Sequence, residues 1–212
     1  LLYGWWGEAG GQSLLGKTYF FALGAALQSS LLLGLTLWLA VGRFGGRFAD
    51  LGFRRGLLSW RGIAWAGLVN GVLLFMLVSF LAGIIGILAY RSGYVIPPQA
   101  FAQVVQEAQN SKEMAALVAV SCILAPCSEE VYFRGLLFPL MRSSLGAVPG
   151  IWLSAAVFAA LHLDVWRFLP LLAGGAWLAW IYQQSRSLYV SIIAHGVWNL
   201  IMVFLMRWAL NV

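Results

Sequence analysis

Met114 to Phe138 reads MAALVAVSCILAPCSEEVYFRGLLF. Its first eleven residues and its last four are almost wholly apolar, and the run is long enough to cross a hydrocarbon core, which takes about 20 helical residues. Yet Pro126 interrupts it, and Glu129, Glu130 and Arg134 lie inside it. Charges at membrane depth are costly and mark function by default. The reading of this stretch as a membrane span therefore decides both the fold and where to look for chemistry.

The rest of the chain supports the membrane reading. Of 212 residues, 62% are hydrophobic and 9% charged, and the mean hydropathy is +0.86. A soluble domain carries about 25% charged residues, so this chain cannot cover an aqueous surface. Further apolar runs extend from about Thr18 to Val41, Ile63 to Tyr90, Val148 to Leu163, Trp166 to Tyr182 and Leu188 to Trp208. The expected fold is all-α: a polytopic bundle of about six transmembrane helices, forming one membrane domain over 1–212 with its motif-bearing core at about 114–208. No internal repeat, low-complexity tract or second domain is evident. The chain begins at Leu1 rather than Met, as a fragment or trimmed chain would, and shows no signal-peptide pattern.

Two connections are long. Gly42 to Arg61 mixes Arg43, Arg47, Arg54, Arg55 and Arg61 with Phe, Leu and Trp, which suits a segment lying on an anionic leaflet. Arg91 to Glu113 is polar and broken by Pro97–Pro98, with a short helix expected from about Gln99 to Ala108. The net charge of +6 is explained by topology and lipid headgroups, and nucleic acid is not an expected partner. With the first connection cytoplasmic, seven basic residues fall on that side and five on the other, which puts the N-terminus outside. The expected location is the cell membrane, multi-pass. Cys122 and Cys127 are five apart in one helical run, a spacing that suits neither a disulfide nor a zinc pattern.

The polar residues at depth form a short list: Glu129, Glu130, Arg134, His162, His195 and Asn199, with Asn70 apart from them. Glu130 and Arg134 are four apart with the acid first, the better orientation for a helical ion pair. Glu129 points about 100° away from Glu130 and has no partner nearby in sequence. It must be protonated, hydrated or paired with another helix. A general base near neutral pH needs a carboxylate in such surroundings. Pro126 lacks the N–H that would reach the Cys122 carbonyl, so a kink with room for water is expected there. Phe158 shares a helical face with His162, and His195 shares one with Asn199.

Each feature has a plainer reading. The two acids and Arg134 could be an ionic cluster between helices, His162 an interfacial histidine near Asp164 and Arg167, and His195 with Asn199 an interhelical hydrogen bond. Gly174, Gly175, Ser191, Ala194 and Gly196 suit close helix approach but also ordinary membrane-helix composition. The plain readings weaken together, because a carboxylate, two imidazoles and a carboxamide on three spans suffice for a base, oxyanion donors and an acid.

The order E-E-x-x-x-R (Glu129, Glu130, Arg134), F-x-x-x-H (Phe158, His162) and H-x-x-x-N (His195, Asn199) resembles the CPBP or Abi family. That family comprises the type II CAAX prenyl endopeptidases and the bacteriocin-processing and immunity-related proteins. The motifs cover about Ala125 to Asn199, and the L-G-F-R-R stretch at Leu51 to Arg55 also looks like a segment common in bacterial members. The resemblance implies an intramembrane glutamic endopeptidase without cofactor or metal, acting on a membrane-associated peptide or protein among membrane lipids. By position, Glu129 matches the water-activating glutamate and His162 the histidine that helps hold that water. His195 and Asn199 match the pair proposed to stabilise the oxyanion. Glu130 and Arg134 have supporting roles.

Three other readings use the same residues. A zinc protease could take Glu129, His162 and His195 as ligands, although no H-E-x-x-H helix is present. An ion-coupled transporter could use the intramembrane charges, although no paired halves with broken helices are seen. A non-catalytic family member, acting in immunity or as a membrane scaffold, would carry identical motifs.

Overall fold

The structure is a computed structural model that describes residues 16–208, all helices and loops. The stretch on which the signal-peptide reading depends, 1–15, lies outside the described residues. Among the described residues, seven helices follow one another: α1 (Gly16–Arg43), α2 (Trp60–Arg91), α3 (Ala100–Glu107), α4 (Ser111–Leu145), α5 (Ala147–Leu161), α6 (Phe168–Ser185) and α7 (Leu188–Trp208). Four of them, α1, α2, α4 and α7, are long and apolar enough to cross a bilayer. The fourth expected span is α5, which has only 15 residues. The fifth is the 18-residue α6, whose Gln183–Gln184 end dilutes its apolar character. The protein is thus a multi-pass helical membrane protein.

Its outer surface carries the signature of a lipid solvent. Leu23, Leu27, Leu31 and Leu35 recur every fourth residue along α1, and all four are exposed. On a helix that spacing forms one stripe, and only lipid tails make such a stripe favourable. Trp65, Met76 and Phe80 do the same on α2. The interior cluster joins Ile63, Leu74 and Val78 of α2 with Phe133, Phe158, Leu178 and Trp198 of the helices around them.

Small residues set how closely the helices pack. A Cβ at Gly196 would lie 2.5 Å from the Cys122 carbonyl oxygen, so α7 touches the backbone of α4 there. A Cβ at Gly67 would meet Ile193 at 2.5 Å, and one at Gly71 would meet Val197 at 2.6 Å, so α2 and α7 are in near backbone contact. This is the packing that small residues permit between membrane helices.

The central helix α4 starts earlier than its apolar run. Asn110 accepts hydrogen bonds from the Lys112 and Glu113 N–H groups at 3.0 Å, and Glu113 accepts from the Gln109 N–H at 2.9 Å. That reciprocal capping fixes the first turn. Farther along, α4 widens twice into π-helix, over Ala119–Leu124 and Val131–Leu137. Each wide turn ends two residues before a proline, Pro126 or Pro139. The Ala125 N–H bonds the Val120 carbonyl five residues back, and the Phe138 N–H bonds that of Phe133. Widening accommodates the missing proline N–H and the clash with the carbonyl four residues earlier. The irregularity expected at Pro126 therefore takes the form of π turns, and Glu129–Glu130 lie between them.

Of the two long connections, the second contains α3 much as its sequence suggests. The first folds back onto the bundle: Leu51 is buried, and the Gly52 carbonyl accepts from the Leu188 N–H at 2.9 Å. Asn70, set apart from the other polar residues, accepts from the Trp177 indole at 3.2 Å and ties α2 to α6.

Candidate active site

Glu130 and Arg134 of α4 are both fully buried, with Nη1 of the guanidinium 2.8 Å from Oε1 of the carboxylate. This is the i, i+4 pair that the sequence spacing predicts. Two further contacts are not legible from spacing. The Arg134 Nη2 donates to the Gly175 carbonyl of α6 at 2.9 Å. The same Glu130 Oε1 lies 2.9 Å from Nδ1 of His195 on α7. A carboxylate can only accept, so Nδ1 carries the hydrogen and the ring presents Nε2 on its other side.

That Nε2 faces Glu129, whose Oε2 is 3.9 Å away. Glu129 differs from its neighbour as the 100° turn requires. Its side chain is 27% exposed, where that of Glu130 is 0% exposed. Among the described residues, no hydrogen bond ties the Glu129 carboxylate down. One acid is thus locked to a guanidinium and an imidazole, and the other is free to meet a mobile partner.

Aromatic rings hold the imidazole from its sides. Trp198 stacks on His195 with ring centroids 5.5 Å apart, and Phe158 meets it edge-on at 6.0 Å. Phe158 also carries the Arg134 guanidinium over its ring at 5.0 Å. The Phe of F-x-x-x-H is a wall shared by the cation and both histidines, since its centroid is 4.7 Å from that of His162. A Cβ at Gly175 would lie 3.1 Å from this ring, so the glycine lets α6 close over it and present the carbonyl that Arg134 uses.

The remaining two candidates stand farther out. Asn199, one turn beyond His195, donates from Nδ2 to the Ser121 carbonyl at 2.8 Å. This anchors it to the first π turn of α4 and leaves one amide hydrogen uncommitted. His162 caps the exposed end of α5, and its Nδ1 meets the Phe158 carbonyl at 2.7 Å. No hydrogen bond or ion pair joins His162 to Glu129, His195 or Asn199 among the described residues; Phe158 is its link to them. The structure thus brings Glu129, Glu130, Arg134 and His195 together directly, with Asn199 beside them and His162 at the rim. Among the described residues, no three His, Cys, Asp or Glu side chains are disposed to hold a metal ion.

The residues that the sequence does not single out for the site are Ser121 and Trp198, and Gly175 is marked there for close packing but not for the carbonyl that Arg134 uses. Gly175 and Ser121 act through backbone carbonyls, which every residue has, so no side-chain signal marks them. Trp198 is the residue before Asn199 in H-G-V-W-N, and its aromatic type was the available hint.

Residues 111–201, which contain all three motifs, match the family model described as Type II CAAX prenyl endopeptidase Rce1-like. The chain is also similar to a "Putative membrane peptidase YdiL" of Bacillus subtilis (strain 168), at 27% identity over 89 residues. That match covers 42% of this chain and 36% of the relative, so the chain spans little more than a third of that protein's length. No solved structure matches. Over its motif-bearing segment, this chain is similar to the Rce1-like type II CAAX prenyl endopeptidases.

Proposed function

We propose that this protein is an intramembrane endopeptidase of the CAAX-protease type in which Glu129 activates water. The observation that carries the reading is the division of labour between adjacent acids. Glu130 is consumed by Arg134 and His195, whereas the partly exposed Glu129 has its Oε2 3.9 Å from the imidazole Nε2 and no hydrogen bond among the described residues. A carboxylate so placed takes a proton from water as the water attacks a peptide carbonyl, then returns it to the leaving amine. His162 helps hold the water at the rim. The free amide hydrogen of Asn199 faces the developing oxyanion, where a pre-aimed donor contributes most, and His195 adds a second donor from Nε2 once that nitrogen also carries a hydrogen. Glu130 and Arg134 are positioning residues that fix the imidazole's tautomer and orientation.

Two buried orphans support water near this site. Glu130 Oε2 and the Trp198 indole nitrogen are buried without a hydrogen-bond partner among the described residues, and buried polar groups of this kind are commonly satisfied by ordered water. The substrate class proposed is a membrane-bound peptide or protein cleaved near the bilayer surface.

The test is a panel of membrane-anchored peptides, prenylated and not, incubated with the reconstituted protein. Glu129→Ala and His162→Ala should each abolish cleavage while the protein still inserts, and chelators should leave wild-type activity intact. Full activity of Glu129→Ala would remove the mechanism. A wild type that cleaves nothing would favour the non-catalytic reading.

A further inference from the structure

A second polar feature lies at the opposite end of α4 from its Asn110 cap. There a cleft of about 340 Å³ is lined by Asp50 and Arg54 of the first connection, Arg142 in the last turns of α4, and Tyr182, Gln183 and Arg186 at the end of α6. Three guanidiniums share one concavity. Arg54 uses its Nε on the Arg186 carbonyl at 3.3 Å, and the side chains of Arg142 and Arg186 make no hydrogen bond to the described residues. Asp50 is already occupied, accepting from the Arg47 backbone N–H at 2.8 Å with the Arg47 guanidinium 3.5 Å away. The cleft therefore holds three guanidiniums and one carboxylate, which is bonded to Arg47 and also lies in the field of Arg54, so its charge is net positive.

The arrangement is built rather than incidental. The connection bearing Arg54 is pinned to the helices by close backbone approach. A Cβ at Gly52, where φ is +95°, would lie 2.7 Å from the Tyr182 hydroxyl, and one at Gly56 would lie 2.0 Å from the Ser185 carbonyl oxygen. Gly135 passes the Leu51 carbonyl with room for no more than 3.0 Å to a Cβ. Glycine is required at Gly52 and Gly56, where the positive φ and the close contacts coincide, so this loop is held in the place that brings Arg54 to Arg142 and Arg186.

We propose that this cleft binds the phosphate of an anionic phospholipid headgroup. Guanidinium forks match phosphate oxygens, and the volume admits a headgroup as well as its phosphate. A lipid rather than a soluble phosphate is favoured by the surroundings. Phe44, Phe48, Leu57 and Trp60 stand exposed on the same connection and the start of α2, the composition of a segment seated at the acyl boundary. The arginines lie at the helix ends, where headgroups are.

Native mass spectrometry of the whole chain in mild detergent tests this with phosphatidylglycerol, phosphatidylcholine and inorganic phosphate as probes. The wild type should retain phosphatidylglycerol over phosphatidylcholine. The variant Arg142→Gln/Arg186→Gln, which removes no internal side-chain hydrogen bond, should lose about tenfold in retention, the size of one charge-assisted hydrogen bond. Arg142→Gln alone should show a smaller loss, which keeps the test valid if the double variant misfolds. Arg55→Gln, on the same connection but outside the cleft, should bind as the wild type does. Equal retention of the two lipids, or wild-type retention by the double variant, would overturn the proposal. Displacement of phosphatidylglycerol by inorganic phosphate at equal concentration would overturn the lipid assignment.

Discussion

Glu129 and Glu130 are chemically alike and adjacent, yet one turn angle gives them opposite fates. Glu130 is paired on both sides inside the protein, and breaking such a buried pair leaves an uncompensated charge. Arg134→Met is therefore expected to cost about 3–5 kcal/mol, read as a lower unfolding midpoint in detergent. The double variant Glu130→Gln/Arg134→Met removes both charges and should recover much of that loss, although His195 then loses its anchor and cleavage should stay low. Glu129→Gln keeps shape and should leave stability nearly unchanged. It should lower cleavage by roughly 10²–10⁴, the usual contribution of a general base. The ion pair and the freer acid were both legible in E-E-x-x-x-R, because a four-residue spacing is a local geometric fact. The Glu130–His195 bond was not, because it closes across 65 positions of chain and depends on how α4 and α7 meet.

At the scale of elements, glycine placement carries the packing. Gly196→Val should push α7 off the Cys122 carbonyl and cost about 1–3 kcal/mol by overpacking. Gly83→Ala, at a helix position with open space around it, should be neutral or gain about 0.5–1 kcal/mol through helix propensity. Unfolding midpoints of the two variants check the contrast. The long helices were readable from apolar runs, and the short one after Pro97–Pro98 was expected within a polar connection. The starting point of α4 was missed by three residues, since the N-x-x-E cap at Asn110 and Glu113 precedes the hydrophobic stretch that marks the span. The π turns were only half legible: a proline announces irregularity, but surrounding contacts decide between a kink and a widened turn.

For the whole molecule, charge asymmetry sets the expected orientation. A single cysteine introduced as Arg55→Cys, in a background with Cys122 and Cys127 replaced by Ala, should be shielded from an impermeant thiol reagent in intact cells and react after permeabilisation. Labelling in intact cells would reverse the topology. Composition made the membrane class plain, while the number of full spans was harder to read, since α5 and α6 fall near the threshold of length and apolarity.

The brevity of α5 has a consequence for the bilayer itself. Its 15 residues rise only about 22 Å, against a hydrocarbon thickness of about 30 Å. Trp152, Leu153 and Leu161 on its flank are exposed to the surroundings. Lipid cannot leave that flank bare or bury its polar end, so the annulus beside α5 has to dimple inward. The dimple would bring the aqueous phase down to the rim where His162 ends the helix, letting the proposed hydrolytic centre stay wet without a channel through the protein.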